Sequence, residues 1–314
     1  MPIEPSESLT TCDVYFNIPD FLLCRVLGHD RERYLQGRIT QDVKNLKPSQ
    51  HSGCLLLSPQ GKIQSRFDII QADDHYLAII EAMDSATFSE SLLQFAVADD
   101  VTLDFIQDRF CLFSVQGPNA ATILSSLGLN DYDAESSMAQ VIPSPPFDIS
   151  VYPKKRSLNG GFDLLVAKAD QADLETALRN SSATHLDKLE DVQALRISAG
   201  IPQFGAEMGT DVMATEIPFQ DLISFNKGCY AGQEAVEMSI ARGRPNRTLM
   251  KLRSDSKAEL SESSEIYSNS KLELRVGKVT SQAPKHGLYL ALVKTKHSEL
   301  DQFWAGDVKL QRED

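Results

Sequence analysis

The residue types best suited to chemistry lie in one stretch, "KGCYAGQE", residues 227–234. A cysteine stands between Gly228 and Tyr230, two residues after Lys227, and the residues that follow read as a helix beginning near Gly232. Unpaired amides and the dipole at a helix start favour a thiolate, and a nearby ammonium strengthens that field. The expectation is therefore a reactive thiol at Cys229 with Lys227 as its adjacent cation. Gly228 and Gly232 would admit backbone conformations closed to other residues, or the close approach of a ligand. Tyr230, Gln233 and Glu234 supply an aromatic ring and polar contacts beside the thiol. The competing reading is a small buried hydrophobe in a tight turn, a common fate of free cysteine. Cysteine-nucleophile hydrolysis is not indicated, because no histidine lies near in sequence.

The charge pattern narrows what such a site could meet. The formal net charge is −13, which argues against wholesale binding to nucleic acid or anionic membrane. From Lys227 to Arg253, however, six basic residues face two acidic ones, a local balance of +4. Arg244 and its neighbours can hold an anion there, and a transient RNA contact through 242–253 is the larger-scale version of that reading. The five cysteines are scattered, with no CxxC pair, so neither a disulfide framework nor a zinc site is indicated. No metal ligand set is expected. Apolar runs such as "FLLC" and "YLAII" are too short to cross a bilayer, and "MPIEPSESLT" lacks the blocks of a signal peptide, so a cytoplasmic location without membrane contact is expected.

The elements that must position the motif can be read by period. A chain of 314 residues exceeds the usual single core and predicts two or three domains. "GCLLLSPQGKIQSRFDIIQADDHYLAII" predicts three antiparallel strands, with turns at Ser58–Gly61 and at "ADDH". "SATFSESLLQFA" places Phe88, Leu92 and Phe95 at helical spacing, and "VTLDFI" alternates like a strand. A second block repeats the theme: "FCLFSVQG" as strand, "PNAATILSSLG" as helix, "ESSMAQVIPSPPFDIS" as loop, "GFDLLVA" as strand and "QADLETALRN" as a helix that Asp170 can cap. "DKLEDVQALRISAG" reads as a helix, "ISFN" as a strand entering the motif, and the short alternating runs after Arg247 as a small barrel. These readings predict an α+β protein with modules at 1–110 and 111–246 and a β-barrel at 247–314.

The motif closely resembles K-G-C-Y-T-G-Q-E of the YgfZ family, folate-binding relatives of the glycine-cleavage T protein that assist iron–sulfur enzymes. Similar stretches extend along the chain: "GHDRERYLQGRITQDV", "LRISAGIP", "RGRPNR" and "VGKVTS". The resemblance implies two ferredoxin-like α+β modules and a C-terminal barrel, with tetrahydrofolate or a related folate held near the centre. It carries over Lys227, Gly228, Cys229, Tyr230, Gly232, Gln233 and Glu234, with Ala231 replacing the commoner threonine. For the folate it suggests positions matching Phe21 and Val192, where only Phe21 keeps a ring for stacking, with Arg38, Asp42 and Arg196 as polar candidates. Arg38 and Asp42, four residues apart, equally fit a surface pair on a helix. The departures bear on chemistry: the T protein's asparagine-alanine strand end corresponds to "YLAIIEAMD", its G-Y-T-G-E segment is reduced to Gly161-Phe162-Asp163, and Asp84 reads as a helix cap.

The function the resemblance implies is a folate-binding accessory protein for iron–sulfur cluster assembly or repair, with iron–sulfur client enzymes that include tRNA-modifying ones. It points to an accessory factor more than to a classical aminomethyltransferase. The rivals are a tetrahydrofolate-dependent aminomethyl or methyl transferase and a non-catalytic scaffold for client protein or RNA. A lone thiol cannot hold a four-thiolate cluster, and no permanently bound metal is expected.

Overall fold

The computed structural model describes residues 11–129, 140–144, 147–261 and 264–313. The first sixteen elements in chain order are β1 (Val14–Ile18), β2 (Phe21–Leu27), α1 (Arg31–Arg38), β3 (His51–Leu57), β4 (Ile63–Gln71), β5 (Tyr76–Glu81), α2 (Ser85–Leu93), β6 (Thr102–Phe105), β7 (Phe110–Gln116), α3 (Ala120–Ser126), β8 (Gln140–Ser144), β9 (Phe147–Pro153), β10 (Gly161–Ala167), α4 (Gln171–Arg179), β11 (Thr184–His185) and α5 (Leu189–Ser198). After a long irregular stretch come α6 (Gln233–Ala241) and six strands, β12 (Arg247–Arg253), β13 (Glu265–Tyr267), β14 (Arg275–Ala283), β15 (Leu288–Lys294), β16 (Gln302–Ala305) and β17 (Val308–Glu313).

Strand alternation builds two sheets that meet face to face. One has the order β3-β4-β5-β2-β6, the other β11-β1-β7-β10-β9-β8. In β4, Phe67 and Ile69 point outward and pack with Tyr34 and Leu35 of α1 and Phe88 and Leu92 of α2. Phe67 and Phe88 meet edge to face at 5.3 Å between ring centroids, a favoured aromatic arrangement. The alternate residues of β2, β4 and β5 (Leu23, Ile70 and Ile79) turn inward against Leu112, Tyr152 and Leu165 of the second sheet. That sheet buries its own outer face under α3 and α4, with Phe113, Val115 and Leu164 against Ile123, Leu124, Leu174 and Leu178. The layers thus run helix, sheet, sheet, helix.

The first strand crosses over. β1 pairs along its whole length with β7 and also with β11, so this N-terminal strand belongs to the second sheet. A stretch of five alternating residues has no local preference between two sheets; pairing partners decide.

The six final strands close into a barrel in the order β12-β15-β14-β13-β16-β17. Inward residues include Leu252, Ile266, Val276, Tyr289, Ala291 and Phe303, all without exposed surface. Helix α5 lies on the barrel, with Ala194 and Ile197 against Ala283, Leu288 and Leu290. The architecture is α+β with a C-terminal β-barrel.

Three local readings differ from the structure. The stretch expected as loop around 135–150 contains β8 and β9, paired from Gln140↔Val151 to Ser144↔Phe147. Its parts at 135–139 and 145–146 lie outside the described residues. Proline suggests loop, yet Pro143 sits on the sheet's edge strand, where a missing N–H is tolerated. "ISFN" forms no strand; Ile223 is buried in a mixed cluster and the backbone around it is irregular. Asp170 occupies the N-cap of α4 without a side-chain cap bond.

Candidate functional site

The loop bearing Cys229 is tied down by its own backbone and by Lys227. The amide of Ala231 donates to the Gly37 carbonyl at 3.1 Å. The Lys227 ammonium donates to the carbonyls of Ile39 at 2.7 Å and Gln41 at 2.6 Å, and lies 5.3 Å from the Tyr230 ring centre. Burial brings the Lys227 pKa down to about 8, against a weaker upward pull from Asp42. Lys227 therefore spends its charge on carbonyl oxygens just past α1, where an apolar side chain would leave them unpaired. The motif does meet the "LQGRITQD" segment.

Cys229 is exposed. It precedes α6 by several residues, so it lies on the approach to the helix rather than in its first turn. Tyr230 is buried beside Leu55, Ile63 and Val236, and burial pushes its hydroxyl pKa up to about 12. Gln233 folds back so that its side-chain oxygen accepts from the Tyr230 amide at 3.3 Å, and its amide donates to Glu237 at 2.7 Å. Glu234 is exposed.

The two glycines of the motif differ. Gly232 has φ +88 and a Cβ there would sit 2.5 Å from the Ser58 carbonyl oxygen, so the turn at Ser58–Gly61 and the start of α6 fit together only with glycine. At Gly228 a Cβ would meet nothing within 4 Å. Spacing in sequence made them look equivalent; only packing separates them.

The other sequence-derived candidates are dispersed. Phe21 packs in the apolar layer between the sheets. Arg38 is buried, donates to the Ser91 carbonyl at 2.9 Å and covers the Phe95 ring at 4.8 Å. Asp42 accepts from Gln36 at 3.0 Å and Asn45 at 2.7 Å. Arg38 and Asp42 therefore make no surface pair: α1 ends at Arg38, whose side chain turns under α2. Val192 packs with Val14, Phe16 and Leu195. Arg196 pairs with Glu207 at 2.8 Å and donates to Ser281 at 2.7 Å, linking α5 to the barrel. Arg244 is exposed. Asp84 accepts from the Thr87 amide at 2.9 Å and caps α2.

A second polar centre, not singled out from sequence, lies between the sheets. Asp68 of β4 has no exposed surface and meets two cationic partners, Arg66 at 2.9 Å and Lys154 in a close ion pair, with the His51 ring at 3.1 Å. Burial opposes its charge, but Arg66 and Lys154 outweigh that effect and hold Asp68 well below the usual carboxylate range. Alongside, Arg156 reaches two carboxylates from opposite sheets. It binds Glu81 of β5 at 2.9 and 2.7 Å and Asp163 of β10 at 2.9 and 2.6 Å. Burial raises Glu81, yet Arg156 more than offsets it and brings the pKa down to about 2.

A cavity of about 500 Å³ opens beside these charges, lined in part by His51, Gly53, Lys154, Lys155, Gly160 and Phe162. This volume suits a small organic ligand. It offers Lys155 for an anionic group and a carboxylate at Asp221, while Lys154 in its wall is already paired with Asp68. None of the candidates from the motif lines it. The signals in the sequence were faint: "RFD" in an inward-alternating strand and "KKR" in an acidic chain, whose convergence depends on two sheets docking. Among the described residues, no group of three or more His, Cys, Asp or Glu side chains could hold a metal ion. No helix among them is long and apolar enough to cross a membrane.

The overall fold has a counterpart among solved structures. The glycine cleavage system aminomethyltransferase T from Bartonella henselae superposes with a TM-score of 0.82 at 17% identity, over 98% of this chain and 86% of its own. Residues 14–227 match the GCVT N-terminal domain family. A tRNA-modifying protein YgfZ from Klebsiella pneumoniae (strain 342) is 31% identical over 254 residues, 80% of this chain and 75% of that protein. The YgfZ of Edwardsiella ictaluri (strain 93-146) is 29% identical over 262 residues, 83% of this chain and 75% of its own. This chain belongs to the YgfZ family, built on the GCVT N-terminal domain.

Proposed function

We propose that this protein is a folate-binding accessory factor for iron–sulfur cluster assembly or repair, serving iron–sulfur enzymes that include tRNA-modifying ones, in the cytoplasm. The observation that supports it is the exposed thiol of Cys229 on a loop fastened to 37–41, in a chain that keeps the YgfZ motif.

The cavity of about 500 Å³ supports a ligand of folate size. Lys155 would face the glutamate carboxylates, and the backbone at Gly160 leaves room for close approach. Folate, when bound, carries one-carbon units. The protein's own part is to hold the ligand between two rigid sheets and to present a thiol on a fixed loop. Arg242 and Arg244, exposed after α6, provide charge for a client protein or a transient RNA contact.

The test is a titration of tetrahydrofolate and 5-formyltetrahydrofolate against wild type and Cys229→Ala, followed by iron–sulfur enzyme activities in cells carrying each. Folate binding by both proteins, with client activity lost only in Cys229→Ala, is the expected result. Turnover of an aminomethyl carrier would favour the transferase instead, and full cellular function of Cys229→Ala would favour a scaffold.

A further inference from the structure

We propose that His51, with Asp68 behind its ring, holds the pterin head of the ligand at the inner end of the cavity, while Lys155 at the rim holds the glutamate tail. The proposal rests on the folate reading and adds to it the direction in which the ligand lies.

His51 and Lys155 both line the cavity but differ in depth. Only 10% of the His51 side chain is exposed, whereas Lys155 is exposed and makes no ion pair or hydrogen bond among the described residues. His51 opens β3, and its ring meets the Tyr152 ring of β9 at 4.8 Å between centroids. Tyr152 thereby backs the imidazole from the opposite sheet.

Asp68 decides which ring nitrogen carries the hydrogen. Its Oδ1 lies 3.1 Å from His51 Nε2, yet both atoms are buried without a hydrogen-bond partner. The oxygen therefore stands off the line of the N–H, and a small turn of the ring completes the bond. Asp68 is kept ionised by Arg66 and Lys154, and a carboxylate only accepts. The hydrogen of a neutral imidazole belongs on Nε2, which leaves Nδ1 as an acceptor. Nδ1 has no partner among the described residues. An acceptor there suits an N–H donor of the 2-amino-4-oxopyrimidine edge of a pterin and repels a carboxylate. A single donor to Nδ1 displaces no cation, so Asp68 keeps both of its ion pairs when the ligand is bound.

The rim takes the other end. Lys155 is the uncommitted lysine of the cavity, since Lys154 is spent on Asp68. Gly160, in the same connection between β9 and β10, leaves open backbone: at φ +72, a Cβ there would meet nothing within 4 Å. Asp221, also in the cavity wall and exposed, repels a carboxylate and keeps the gain from Lys155 modest. A buried acceptor and an exposed cation in one cavity set a head-in, tail-out order.

Three probes read the two ends separately in the full-length chain: 6-methylpterin for the head, p-aminobenzoylglutamate for the tail and 5-formyltetrahydrofolate for both. His51→Ala is expected to weaken 6-methylpterin and 5-formyltetrahydrofolate about tenfold, the scale of one buried hydrogen bond, and to leave p-aminobenzoylglutamate unchanged. Lys155→Ala is expected to weaken the two glutamate-bearing probes about threefold, as loss of an exposed ion pair would, without change to 6-methylpterin. In wild type with nitrogen-labelled histidine, 6-methylpterin should shift the Nδ1 resonance of His51 while Nε2 keeps its hydrogen. Should His51→Ala fail to fold, His51→Phe keeps a ring against Tyr152 and lacks the acceptor, and the same pattern of losses is expected. If wild type binds 5-formyltetrahydrofolate while the His51 variant keeps its affinity for 6-methylpterin, or loses all three probes equally, the proposal falls and the folate reading stands. Absence of 5-formyltetrahydrofolate binding by wild type overturns both.

Discussion

The Lys227 ammonium donates to the Gln41 carbonyl oxygen at 2.6 Å, across 186 positions of sequence. That bond, with its neighbour to Ile39, fastens the Cys229 loop to the end of α1 and defines what Lys227 does. Its pKa near 8 lies below the unfolded-chain value, so between about pH 8 and 10.4 the unfolded state binds more protons. The Lys227 contribution therefore makes stability rise with pH across that window. Lys227→Met should abolish that increment and speed alkylation of Cys229. The pH dependence of urea midpoints for both proteins checks the sign.

Cys229 should react with an alkylating reagent faster than Cys24, Cys54 and Cys111. Burial pushes the Cys24 thiol up to about 12 and raises Cys54 and Cys111 as well. Cys229 is exposed, so access alone favours it. Site-resolved mass spectrometry at neutral pH measures the order; Cys229 reacting last would exclude a reactive thiol.

Gly232→Ala should destabilise the protein by about 1–3 kcal/mol through strain at positive φ, with more added if the Ser58 turn cannot move. Gly228→Ala should stay within roughly 0.5 kcal/mol, because the added methyl meets nothing. Chemical denaturation of the two variants separates a structural glycine from one available for ligand approach.

Asp68→Asn should cost about 3–5 kcal/mol, as expected when one partner of a buried ionic cluster is removed. Asp68 and Glu81 both have depressed pKa values, so their stabilisation is present above about pH 4 and is lost as pH falls. For Glu81 the window runs from about 4.3 down to about 2. An acid titration followed by circular dichroism should show wild type losing stability through this range, and Asp68→Asn losing less.

Folate affinity should fall as salt rises, and Lys155→Ala should flatten that dependence. Lys155 lines the cavity, whereas Arg247 already spends its charge on Glu216 at 2.7 Å. Charges at an open rim are screened over about 8–10 Å at ordinary ionic strength. Calorimetric titrations at two salt concentrations, with Arg244→Ala alongside, identify which cation meets the ligand's tail.

Period and turn chemistry made much of the fold legible. The meander through β3, β4 and β5, the helix at Phe88 and Leu92, and the barrel strands after Arg247 all follow from alternation that local sequence carries by itself. The motif at 227–234 was equally visible, because its residue types are unusual together. What local pattern cannot carry is partnership. Only the docking of two sheets places Arg66, Asp68 and Glu81 against Lys154, Arg156 and Asp163, since an inward-facing charge is recognisable as buried only when the opposite layer exists. Only packing shows that Gly232 is indispensable and Gly228 is not, and only the folded chain turns the Lys227 charge toward two carbonyls, because hydrogen-bond partners 186 and 188 residues distant leave no trace in local spacing.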